Sequence, residues 1–140
     1  MNHYFFIYIF FLVSSCSLQA QQPCALKITT PGCERLINPI GIGILQPRLS
    51  WYLNSTCNNQ WQSAYHILVA SSIEKLKQNE GDIWNSQKVA SSNSLNIKFA
   101  GKTLKTAQTY YWKVRVWNAQ NKPSDWCSTQ QWTMGLVNNE

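Results

Sequence analysis

The sequence predicts an all-β fold, a two-sheet sandwich of about seven strands behind an export leader. Residues 104–117 carry the first sign. Tyr110, Trp112, Val114 and Val116 alternate there with Tyr111, Lys113, Arg115 and Trp117, the period of a strand with one buried face. The second sign is the polar corner between Leu104 and Tyr110, where a tyrosine hydroxyl can bond back to upstream backbone as the chain crosses between sheets. The third is that short β-branched and aromatic runs recur between Gly, Pro and Asn turn signals, with no long helical period and no internal repeat.

A chain of 140 residues suffices for one domain, and its 44% hydrophobic content, with seven Trp, six Tyr and five Phe, can fill a core. Residues 1–20 are of another kind. An apolar run from Tyr4 to Val13 ends in small and polar residues at Ala20, the pattern of a secretory signal peptide cleaved before Gln21. Val13-Ser14-Ser15-Cys16 also fits a lipobox, in which Cys16 is lipidated and becomes the new amino terminus. Both endings imply export to the periplasm or beyond, and the run is short for a membrane span.

Residues 25–30 can form a first edge strand, stopped by Pro31-Gly32. Residues 33–42 form an irregular crossing segment, because Pro39 and Gly41 oppose a regular ladder. Pro47 opens the next strand, with Leu49, Trp51 and Leu53 on one face, Arg48, Ser50 and Tyr52 on the other, and Trp51 as the core tryptophan. Residues 54–60 are a polar turn whose Asn54-Ser55-Thr56 matches a glycosylation acceptor only formally. Residues 62–71 give a long strand with Tyr65, Ile67 and Val69 inward and His66 outward. Ser72 can cap a single helical turn, and Gly81-Asp82 ends it. Residues 83–89 and 94–99 read as short strands, the second with Leu95, Ile97 and Phe99 alternating. A hairpin loop over 119–123 leads through Ser124-Asp125-Trp126 into a last strand ending near Trp132 and Met134. This strand count fits an immunoglobulin-like or fibronectin type III sandwich over residues 24–136.

The formal charge of +6 comes from twelve basic and six acidic residues, scattered without a cluster, which reads as solvated faces rather than a nucleic-acid footprint. Cys24, Cys33, Cys57 and Cys127 could form up to two disulfides in any of three full pairings, or serve in part as small buried hydrophobes. No spacing suggests a metal site. Glycoside hydrolysis needs two facing carboxylates, and Glu34, Glu74, Glu80, Asp82, Asp125 and Glu140 all fall in expected loops or at a terminus. His66 has no nucleophile motif around it. No catalytic, cofactor-binding or metal residue is therefore expected in this chain. Arg115 is expected to stack on Trp126 or Trp117, and a sugar platform built from Trp61, Trp84, Trp117 or Trp126 is the functional alternative.

Six blocks together point to a family. They are Cys33-Glu34 with Asn38-Pro39-Ile40-Gly41-Ile42, Pro47-Arg48-Leu49-Ser50-Trp51, Ala64-Tyr65-His66-Ile67-Leu68-Val69-Ala70-Ser71-Ser72, Gly81-Asp82-Ile83-Trp84-Asn85-Ser86, Tyr110-Tyr111-Trp112-Lys113-Val114-Arg115-Val116-Trp117 and Trp132-Thr133-Met134-Gly135-Leu136. In that order and spacing the chain resembles the amino-terminal fibronectin type III-like domain of bacterial alpha-L-rhamnosidases. The resemblance implies an exported glycosidase that releases terminal L-rhamnose with inversion, acting on a rhamnose-containing glycan or glycoside. Its acid and base would lie in a helical barrel beyond this sequence. The partners it implies are later domains of the same polypeptide, with no nucleic acid, no cofactor and no membrane span. Residues 137–140 would then begin the next segment of a truncated chain. A free-standing exported glycan- or protein-binding module is the alternative.

Overall fold

The computed structural model describes residues 24–137. The expected leader 1–20, the lipobox cysteine Cys16 and residues 138–140 lie outside the described residues. Nine strands and one short helix follow one another: β1 (Leu26–Cys33), β2 (Ile40–Ile42), β3 (Arg48–Ser55), β4 (Ala64–Ala70), α1 (Ile73–Lys77), β5 (Trp84–Asn85), β6 (Val89–Ala90), β7 (Ile97–Lys98), β8 (Thr109–Trp117) and β9 (Gln130–Met134). They form two sheets. One has the order β1-β3-β7, and the other runs β2-β9-β8-β4-β5 with β6 also paired to β4.

Strand β8 is the centre of the larger sheet because its alternation commits one face to the interior. Tyr65, Ile67 and Val69 of β4 lie opposite Val116, Val114 and Trp112 on that face. All six are buried, and all but Tyr65 fully so. Leu49 and Trp51 of β3 close the core from the smaller sheet, and Trp132, Met134, Phe99 and Leu104 complete it. Trp51 has a polar requirement as well as an apolar one. Its indole N–H donates to Gln62 Oε1 at 2.9 Å, and Gln62 Nε2 donates to the carbonyls of Ser91 and Asn93 at 2.9 and 2.8 Å. The corner ahead of β8 forms as expected: Tyr110 Oη accepts the Lys105 amide N–H at 2.9 Å, with Leu104 buried beside it.

Several boundaries differ from the sequence reading. Strand β1 does not stop at Pro31-Gly32. It bulges between Thr29 and Gly32, with Thr30 at φ +46°, and resumes pairing to Cys33. A proline is tolerated there because β1 is an edge strand. The crossing segment yields one regular piece, β2, which pairs in parallel with β9. The expected strand over 83–89 breaks into β5 and β6, with Gln87 at φ +54° between them. The expected strand over 94–99 contracts to β7, since Asn96 at φ +54° breaks the alternation and leaves Leu95 exposed. Ser72 does cap α1, its side chain accepting from the Lys75 amide. Gly101 sits where any Cβ would stand 2.5 Å from the Ile83 carbonyl, which lets Lys102 N–H reach that same oxygen at 2.9 Å.

Of the possible cysteine pairings one bridge is present, Cys24–Cys57, with Cα atoms 5.5 Å apart. Cys33 and Cys127 are free and at least partly buried. The bridge ties the start of β1 to the turn after β3, across a sequence separation of 33.

Two outcomes follow for equilibrium urea denaturation. Tyr110→Phe removes the acceptor of the Lys105 amide at a part-buried corner and is expected to cost about 0.5–1.5 kcal/mol. Cys24→Ser with Cys57→Ser is expected to cost about 3–4 kcal/mol through the loop released in the unfolded chain, and no loss would show that β1 is held by its ladder alone.

Candidate functional site

Glycoside hydrolysis, the chemistry expected from the sequence, needs a facing pair of carboxylates. Glu34, just beyond β1, grips Arg48: Arg48 Nη2 donates to Oε2 at 2.6 Å, and the Arg48 amide donates to Oε1 at 2.6 Å. The Arg48 side-chain hydrogen bonds hold the Glu34 carboxyl below its ordinary range. Asp82 accepts from Lys75 Nζ at 2.8 Å, Ser71 Oγ at 2.7 Å and the Ser71 amide at 2.9 Å. Burial alone would raise its pKa, but these bonds outweigh burial and bring it down to about 2. Both groups are anchored anions, the opposite of a proton donor poised near neutrality. Glu80 and Asp125 are exposed in loops. Glu74 stands in the first turn of α1 rather than in a loop. Glu140 lies outside the described residues.

His66 is outward-facing on β4, opposite Arg115 of β8. Its Nε2 meets Asn85 Oδ1 at 2.7 Å, and its ring tilts against Trp126 at 5.2 Å. Burial lowers its pKa, the Asn85 bond opposes this, and the Arg115 charge lowers it further. The thiols are equally unsuited to attack. Burial, reinforced by Glu34, pushes Cys33 up to about 12. Burial likewise takes Cys127 up to about 11 against the hydrogen bond from the Val114 amide. Among the described residues no group of three or more His, Cys, Asp or Glu side chains could hold a metal ion.

The outer face of the larger sheet carries a second constellation. Arg115 lies over both indoles that the sequence offered, 4.7 Å from the Trp126 ring centre and 5.0 Å from that of Trp117. Lys113 adds a cation 4.8 Å from Trp126, and Lys88 one 4.7 Å from Trp117. This ladder is a clamp on the sheet rather than a sugar platform, since its rings are engaged by cations and Trp117 is only 9% exposed. Trp84 packs edge-on against Phe99 at 5.4 Å, and Trp61 is exposed elsewhere, so the four candidates do not converge. Sequence reasoning found the Arg115 contact but missed how fully this face is covered. Leu76 of α1 packs there on Leu68 and Ala70, with Tyr111 and Trp126 against them.

What the sequence left unread is a cleft on the smaller sheet, lined by Thr30, Arg35, Ser50 and Asn96 as well as by apolar side chains. It encloses about 320 Å³ between the turn after β1 and the outer side of β3, with Leu36, Ile37, Tyr52 and Leu95 among its walls. All four side chains are exposed. The signal was present as Leu36-Ile37 in a segment with no inward face to assign.

The family described as the Rha78A-like, N-terminal immunoglobulin domain matches residues 28–138. An alpha-L-rhamnosidase of Formosa agariphila is 49% identical over 100 residues, covering 71% of this chain and 10% of that protein. One from Streptomyces avermitilis is 40% identical over 113 residues, covering 81% and 11%. The chain spans 10% to 14% of the length of the curated relatives it matches. Among solved structures, alpha-L-rhamnosidase from Dictyoglumus thermophilum superposes with a TM-score of 0.78 at 36% identity, over 80% of this chain and 12% of that one. The Streptomyces avermitilis enzyme complexed with L-rhamnose gives 0.76 at 40% identity, over 80% and 11%.

The Asp82 cluster makes a prediction with a definite sign. Its folded-state pKa lies below the ordinary value, so its stabilisation is present at neutral pH and fades as pH falls from about 4 to about 2. Asp82→Asn is expected to lower the thermal midpoint at pH 7 and to converge with the wild type across that window. A gap between the two that persists unchanged at pH 2 would assign the effect to something other than the carboxylate's charge.

Proposed function

Because this chain belongs to the Rha78A-like, N-terminal immunoglobulin domain family, we propose that it is the accessory β-sandwich of an exported alpha-L-rhamnosidase and carries none of the catalytic groups. The observation behind this reading is the extent of the match, residues 28–138, set against the tenth or so of each relative's length that it represents. In this reading residues 1–20 are the export leader, 24–136 the accessory domain, and 137–140 the start of the next segment. Among the described residues no helix is long and apolar enough to cross a membrane.

The chemistry of the site supports the division of labour. Inverting hydrolysis requires a protonated carboxylic acid and an ionised carboxylate facing each other across a sugar, with room for water between them. Glu34 and Asp82 are each neutralised by their own cation instead. The substrate in this proposal is a terminal L-rhamnoside, bound and cleaved by later domains. The sandwich contributes a rigid body to which those domains attach.

The 140-residue chain is expected to release no aryl group from an aryl alpha-L-rhamnoside in a colorimetric assay. A chimaera in which residues 24–137 replace the matching stretch of the Streptomyces avermitilis enzyme is expected to hydrolyse it. Turnover by the chain alone, abolished by Glu34→Gln or Asp82→Asn, would place the chemistry here and end the accessory reading.

A further inference from the structure

Among the described residues nine large apolar side chains are exposed, and five of them, Leu36, Ile37, Ile40, Ile44 and Leu45, fall within residues 36–45. That segment is the crossover from β1 to β3, and it touches both sheets. Leu36 and Ile37 share one cleft with Tyr52 and Leu95, and exposed apolar side chains gathered in this way mark interaction sites, whereas scattered ones need no explanation.

The backbone that presents these side chains is held firmly. Cys33 and Leu36 exchange both backbone hydrogen bonds at 2.9 Å. The Glu34–Arg48 clasp ties the same turn to β3. Asn38 Oδ1 accepts the Gln131 amide at 2.9 Å, and the Pro39 carbonyl accepts that of Thr133 at 3.0 Å. Glu34, Arg35 and Asn38 adopt positive φ values of +49°, +64° and +49°, a costly conformation for residues with a Cβ. Anchoring of this kind presets the shape of the segment, which lowers the cost of association.

The end of β9 indicates what the surface meets. Ile42 pairs with Met134, and the Gly135 amide donates to the Ile42 carbonyl at 2.8 Å. Gly135 lies so close to Gly41 that a Cβ on it would stand 3.0 Å from the Gly41 carbonyl. Leu136 follows directly and is 85% exposed, as is Ile40. The polypeptide therefore leaves β9 alongside the crossover. In relatives of which the matching stretch makes up only 10% to 14%, whatever is joined after β9 is held at high effective concentration beside residues 36–45.

We propose that the crossover at residues 36–45, together with Leu136, is the seat on which the next domain of the same polypeptide docks through an apolar surface. This rests on the accessory-domain reading and adds to it the face used.

The test takes the chimaera described above and introduces Ile37→Asp with Ile40→Asp. The parent chimaera is expected to unfold in one calorimetric transition. The double variant is expected to release the sandwich as a separate, lower transition and to become cleavable by protease just after residue 137. Both side chains are exposed, so the same pair in the 140-residue chain is expected to leave its own midpoint unchanged, which separates lost docking from lost folding. A control, Gln120→Asp in the hairpin at the far end of β8, should change none of this. Retention of the single transition by the double variant would overturn the proposal. So would dimerisation of the 140-residue chain that Ile37→Asp with Ile40→Asp abolishes while the chimaera stays coupled, since that assigns the surface to a second copy. Aryl rhamnoside hydrolysis by the parent chimaera reports separately on the accessory-domain reading.

Discussion

The exclusion of water from the inner face of β8 is the constraint on which the rest of the molecule depends. Trp112, Val114 and Val116 lie between β4 on one side and the returning strands on the other, closed over by Leu49 and Trp51 from the smaller sheet. Each buried side chain of this size contributes about 1.5–3 kcal/mol. A slip of one residue would turn Lys113 and Arg115 into the core, so this face also sets the register of the whole larger sheet. The Tyr110 hydroxyl on the Lys105 amide fixes where that register begins.

Committing one face of β8 to the interior sends Lys113, Arg115 and Trp117 to the other side, and the molecule does not leave them in water. The chain returns after the hairpin with Ser124 N–H on the Val116 carbonyl and Cys127 N–H on that of Val114, which lays Trp126 over the cations. Planar guanidinium on planar indole satisfies charge and apolar surface at once. Lys113 is 8% exposed yet has a hydrogen bond to Asn79 and an aromatic ring beneath it. This face is closed by its own side chains. Arg115 Nε on this face, like the indole N–H groups of Trp112 and Trp132, has no hydrogen-bond acceptor among the described residues.

The crossover obeys a different logic. It contributes Ile42 to the core and holds its other large apolar groups outward on a strained, anchored backbone. A domain of this size has limited interior, and apolar groups that its own core does not use remain available to a neighbour. The carboxylates follow the same division. Those that are bonded, Glu34 and Asp82, hold turns in place, and Glu34 is the one that holds the crossover.

By itself the sequence determined the architecture and the family likeness. A two-residue period with bulky inward groups in β3, β4 and β8 leaves little freedom in which face is buried, so the core, Trp51, the tyrosine corner and the Ser72 cap were all legible. The pairing of Arg115 with the two indoles was legible for the same reason, since alternate residues share a face. Tertiary structure decided what depends on contacts between distant segments. It bridged Cys24 to Cys57 and left Cys33 and Cys127 as thiols, a choice of spatial proximity that spacing does not encode. It carried β1 through Pro31 by a bulge and broke the strands at Gln87 and Asn96, where left-handed backbone interrupts an otherwise favourable alternation. It also turned Leu36, Ile37 and Ile40 outward. A segment without a regular period has no face until its neighbours supply one, and here the neighbours are Arg48, Gln131 and Thr133, remote in sequence and adjacent only once both sheets have formed.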